Sequence, residues 1–62
     1  MKLRKYLVDN DNIEVAIFEE SVLQFYGNAL KIYDVLSRHW LDAEVIEIVN
    51  NGHNIEVERD RR

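Results

Sequence analysis

Apolar residues fall into short alternating blocks near both ends of the chain, with a longer block of helical period between them. Leu3, Tyr6, Leu7 and Val8 predict a strand over Leu3 to Val8, and Ile13-Glu14-Val15-Ala16-Ile17-Phe18 alternates with β-branched residues at 13, 15 and 17. Asp9-Asn10-Asp11-Asn12 between them is turn chemistry, because short Asx side chains tolerate left-handed backbone and bond their own main chain. The two runs predict a hairpin. With Val8 facing Ile13 and Tyr6 facing Val15 on one side, Leu3, Leu7, Ala16 and Phe18 fall on the other. Both faces are then partly apolar, more than a single covering helix can hide.

Ser21 followed by Gln24 has the spacing of a capping box, and Glu19 and Glu20 sit where a helix dipole favours negative charge. From there Val22, Tyr26, Ala29, Tyr33, Leu36 and Trp40 recur at helical spacing, widened by Phe25 and Ile32. The register runs through Gly27-Asn28 and favours one helix of roughly 18 residues, weakened at the glycine by about 1 kcal/mol relative to alanine. A competing reading ends a segment at Gly27 and restarts with Asn28 as N-cap.

Glu44 to Val49 and Asn54 to Arg59 flank Asn50-Asn51-Gly52-His53, and Asn-Gly is the strongest short hairpin signal. With Asn51 and Gly52 in the loop, Ile48 faces Ile55, Ile46 faces Val57 and Glu44 faces Arg59. The other face sets Glu47 against Glu56 and Val45 against Glu58, so three carboxylates crowd where like charges repel. The predicted fold is α+β, a single small domain over residues 1–62 of order ββαββ: a four-stranded sheet of two hairpins with one helix on one face. The second and third strands should run parallel, as should the first and fourth. Glu47, Glu56 and Glu58 then occupy the helix-free face.

Charge sharpens this picture. The 62 residues carry a net charge of −4, but Lys2, Arg4, Lys5, Arg59, Arg61 and Arg62 sit at the ends. Between Tyr6 and Glu58 only Lys31 and Arg38 oppose eleven carboxylates, so a body near −9 lies between ends near +5. An acidic body argues against general affinity for nucleic-acid backbones. Zero cysteines exclude a disulfide scaffold, a zinc ribbon and a thiol nucleophile. No secretory signal or membrane-length apolar run is found, so a cytoplasmic protein is expected.

Chemistry-bearing motifs are few. His39 and His53 lack the spaced partners of a metal or catalytic site, and His39 better suits a helix C-terminus. Asp9 to Glu14 lacks the mid-loop glycine and the twelfth-position glutamate of a calcium loop. Ser21 and Ser37 lie in no nucleophile elbow. Glu47 with Glu56 on an open sheet lacks the cleft that would push two carboxyl pKa values apart. No enzyme, cofactor or metal is therefore expected.

The leading expectation is a non-catalytic protein-interaction module that self-associates, as a homodimer, through Leu3, Leu7, Ala16 and Phe18. A sharper alternative is an acidic inhibitor or nucleic-acid mimic of the kind phage encode against nucleases, anti-CRISPR proteins among them. It would offer Glu14, Glu47, Glu56 and Glu58 to the basic groove of a nucleic-acid-binding protein. A third reading stacks single-stranded bases on an aromatic sheet face, with Lys2, Arg4, Arg59, Arg61 and Arg62 on the phosphates; carboxylates on the same face argue against it.

Overall fold

The computed structural model describes residues 1–60. Arg61 and Arg62, counted above among the basic ends, lie outside the described residues. In chain order the elements are α1 (Leu3–Asp9), β1 (Glu14–Glu19), β2 (Val22–Asn28), α2 (Ala29–Val35), α3 (Arg38–Leu41), β3 (Glu44–Val49), a 3₁₀ turn (Asn50–Gly52) and β4 (Asn54–Glu58). The fold is α+β, with a four-stranded mixed sheet of order β2-β1-β4-β3. Neighbours β1 and β4 run parallel, and the outer pairs β1/β2 and β3/β4 are antiparallel.

Two expectations about individual elements are overturned. Residues 3–9 form a helix, not a strand: Leu3, Tyr6 and Leu7 are buried at the i, i+3, i+4 spacing of a helix face, while Val8 is exposed. Residues 22–28 form a strand, not the first half of a helix, and Val22 and Tyr26 of the proposed stripe are largely exposed. The helical section begins instead at Asn28, whose side chain accepts from the amides of Leu30 (3.0 Å) and Lys31 (3.2 Å). The restart at Asn28 is thus the reading that matches, and the section breaks again at Leu36-Ser37 before α3. The order is therefore not the simple ββαββ string, because a helix precedes the first strand and two helices separate the hairpins.

Both hairpins turn through left-handed backbone. Glu20 (φ 52°) and Ser21 (φ 65°) link β1 to β2, a pair of conformations normally supplied by Asn-Gly. In the second hairpin Asn51 (φ 57°, ψ 32°) and Gly52 (φ 92°) make the expected turn, closed by the His53 amide donating to the Asn50 carbonyl at 3.1 Å. Val49, Ile48 and Glu47 pair with Asn54, Ile55 and Glu56 as the loop implies. A bulge at Ile46 then moves the register by one residue, so Val45 faces Val57 and Glu44 faces Glu58. The expected Glu44–Arg59 ion pair does not form. Glu44 meets the Met1 amine (3.1 Å) and Lys2 (3.4 Å), and Arg59 meets Glu19.

One core joins the helices to one sheet face: Leu3, Tyr6 and Leu7 of α1, Val15 and Ile17 of β1, Ala29 and Ile32 of α2, Leu36, Ala43, and Ile55 and Val57 of β4. Its rim is closed by an aromatic and ionic stack. The Arg59 guanidinium donates twice to the buried Glu19 carboxylate (2.8 and 2.7 Å) and lies 3.8 Å over the Trp40 ring, which meets Phe25 edge-on at 5.0 Å. This stack clamps the end of β4 to β1 and α3, leaving the opposite sheet face free of helix.

Candidate protein interface

Strand alternation decides what the uncovered face presents. In β1, Val15, Ile17 and Glu19 turn to the core, so Glu14, Ala16 and Phe18 point to the other side. Ala16 lies opposite Tyr26 of β2 and beside Asn54 of β4, and Phe18 lies opposite Leu23 and beside Glu56. Glu56 in turn faces Glu47 of β3. The bulge adds Ile46 to this side, and Val49 follows two residues after Glu47. The face is therefore divided. Its β2/β1 half is apolar (Leu23, Tyr26, Ala16, Phe18), and its β4/β3 half carries Glu47, Glu56 and Glu58 beside Ile46 and Val49.

Leu23, Tyr26, Ile46 and Val49 are all among the large exposed apolar side chains, with Tyr26 at 70%. Phe18, Val49, Ser21, Glu47 and Glu56 line a hollow where the two halves meet. Glu56 is not idle there: its Oε2 accepts from the Ser21 amide at 3.2 Å, so a carboxylate of the acidic half steadies the strained β1–β2 turn.

The structure brings Glu47 and Glu56 together as cross-strand neighbours, with Glu58 two residues along β4 on the same side. Glu14 shares the face but lies at the start of β1, where its carbonyl accepts from the His53 ring Nδ1 at 2.6 Å. Of the residues assigned to self-association, Leu3 and Leu7 are completely buried in α1 and cannot meet a second copy. Their apolar surface is buried in the shared core, against residues such as Val15, Ile17 and Ile55. Ala16 is buried as well, although it belongs to the open face, and Phe18 is half-buried there.

Sequence reasoning missed Leu23, Tyr26, Ile46 and Val49 as surface residues. Tyr26 fits the spacing of a helical stripe in the sequence, and Ile46 falls on the core face of an unbulged register, since nothing in the string announces a bulge.

The described basic residues of the chain ends are held in ion pairs, and of them Lys2 reaches the rim of this face, because its partner Glu44 lies across from Glu58. Arg4 donates from Nε (3.1 Å) and Nη2 to the Asp42 Oδ1, Lys5 meets Asp9 at 3.0 Å within α1, Lys2 meets Glu44, and Arg59 is held on the core side. Hydrogen bonding to Arg4 holds the Asp42 carboxyl below its ordinary value, bonding to the terminal amine does the same for Glu44, and bonding to Glu19 raises Arg59. Among the described residues no three His, Cys, Asp or Glu side chains are grouped to hold a metal ion, and no helix is long and apolar enough to cross a membrane. No family model, curated protein or solved structure matches the chain.

Proposed function

We propose that the chain is a non-catalytic protein-interaction module that docks its helix-free sheet face on a partner with a complementary apolar and basic surface. One observation carries this reading: Leu23, Tyr26 and Phe18 share a single uncovered sheet face with the Glu47/Glu56 pair and Glu58. A like-charged cross-strand pair costs stability, a cost that a basic partner relieves on binding; Glu56 is bonded within the fold to the Ser21 amide as well. Apolar residues beside it supply the non-directional attraction, and the carboxylates supply orientation and speed of encounter.

An acidic inhibitor that occupies the basic groove of a nucleic-acid-binding protein is the narrower form of this proposal. It is favoured over nucleic-acid binding by the same face, which Tyr26 shares with Glu47, Glu56 and Glu58 while Lys2, Arg4 and Arg59 are each engaged in an ion pair. The test is a capture experiment with the wild type, Glu47→Lys/Glu56→Lys and Tyr26→Ser side by side, with circular dichroism confirming that each is folded. One basic protein should be retained by the wild type, released by moderate salt and lost from both variants. Retention unchanged by all three substitutions would remove the open face from the proposal.

A further inference from the structure

We infer that β2 is a self-pairing edge: two copies of the chain join antiparallel through β2 to form one continuous eight-stranded sheet. The two outer strands differ in how they are protected. On β3, the Val45 amide donates to the Met1 carbonyl at 2.8 Å, Lys2 bridges Glu44, Ile46 bulges, and Glu44 and Glu47 add charge. These are the devices by which natural edges avoid pairing. β2 has seven residues, Val-Leu-Gln-Phe-Tyr-Gly-Asn, with no charge and no proline, and among the described residues it pairs with β1 alone; its one irregularity, a bulge at Gln24, precedes the Phe25-Tyr26-Gly27 stretch at the proposed two-fold. Its Val22, Leu23 and Tyr26 are 59%, 53% and 70% exposed.

Charge selects a second copy joined at this edge over a face-to-face pair. Stacked sheets lie roughly 10 Å apart, which would press Glu47, Glu56 and Glu58 against their equivalents in low dielectric. Edge pairing separates the two β4 strands by five strand spacings, roughly 24 Å, well beyond a screening length of about 8 Å at physiological salt. Antiparallel partners share a face, so a two-fold at Tyr26 sets the two tyrosines against each other on the helix-free side. On the core side it sets Phe25 against Gly27 of the copy, where the glycine leaves room for the ring.

This inference goes beyond the docking proposal and stands without it, since the strand edge it joins carries no carboxylate. Sedimentation velocity from micromolar to near-millimolar concentration should show a reversible dimer. Tyr26→Lys and Tyr26→Glu should each weaken it by roughly tenfold through like charges across the two-fold, and an equimolar mixture of the two should dimerise again. Glu47→Lys/Glu58→Lys should leave the dimer intact. A wild type that stays monomeric throughout, or a dimer indifferent to both Tyr26 variants or lost with the Glu47/Glu58 variant, would overturn the assignment.

Discussion

Ser21 holds a φ of 65° in the β1–β2 turn, where its amide donates to Glu56 and its Cβ contributes steric cost. Glycine keeps the amide and removes that cost, so Ser21→Gly should stabilise the fold by about 0.5–1 kcal/mol, measured by urea denaturation. The opposite sign applies at Gly52. With φ at 92°, a Cβ there would stand 2.9 Å from the Tyr6 hydroxyl oxygen, which donates to the Gly52 carbonyl at 2.7 Å. Gly52→Ala should cost about 1–3 kcal/mol, and Tyr6→Phe with it should cost less than the two singly summed, because they share the same contact. Asp42 and Glu44 set the response to acid. Their carboxyls are held below ordinary values of 3.8 and 4.5, so each contributes stability above those values and loses it as the pH falls through its lower folded value. Both contacts are exposed and tie the N-terminal segment to the end of α3 and the start of β3, so acid below about pH 4 should weaken amide protection in α1 before the β1/β4 pair, read by hydrogen exchange.

Seven residues make α1, too few for a helix to stand alone in water, so it exists because Leu3 and Leu7 pack into the core. Leu7→Ala should cost about 2–5 kcal/mol as a cavity at a fully buried site, and Asn28→Ala about 1 kcal/mol as a lost cap on α2, each read from a thermal or urea transition. The same two residues show where the sequence could be read and where it could not. Asn28 after Gly27 is a stop-and-restart signal, and Gly27, at φ 154° in the strand, punctuates the chain there. The longer-range spacing of Val22, Tyr26 and Ala29 masks that signal, because an exposed edge strand rich in apolar residues mimics one side of a helical stripe. Leu3, Tyr6 and Leu7 carry helical spacing, yet the run is so short that the adjacent Val8 and the following turn residues outweighed it. Glu20-Ser21 lacks the Asn-Gly signature, so the first hairpin's true turn was invisible, whereas Asn51-Gly52 announced the second and correctly fixed Glu47 opposite Glu56. The acidic half of the candidate face was therefore legible and its apolar half was not: Leu23 and Tyr26 reach that face only once 22–28 becomes a strand.

At the scale of the molecule, a sheet covered on one side by three short helices leaves the other side to be explained, and pairing at β2 changes what that side is. Two copies joined there place the Leu23, Tyr26 and Phe18 halves together at the centre, with the Glu47/Glu56/Glu58 halves at the two ends. A partner then meets an apolar centre flanked by two negative patches, and docking and self-pairing reinforce each other without sharing their carboxylates. The like-charged pair separates stability from binding. Glu47→Gln removes a repulsion between cross-strand carboxylates, so it should raise stability by about 0.2–1 kcal/mol at low ionic strength, with the gain shrinking as salt screens the pair. If the pair is kept for a basic partner, the same substitution should slow association and flatten its salt dependence. Urea denaturation at two salt concentrations reads the first effect and stopped-flow association with the captured partner reads the second; a more stable Glu47→Gln that binds as fast as the wild type would show that the carboxylate pair does not steer the encounter.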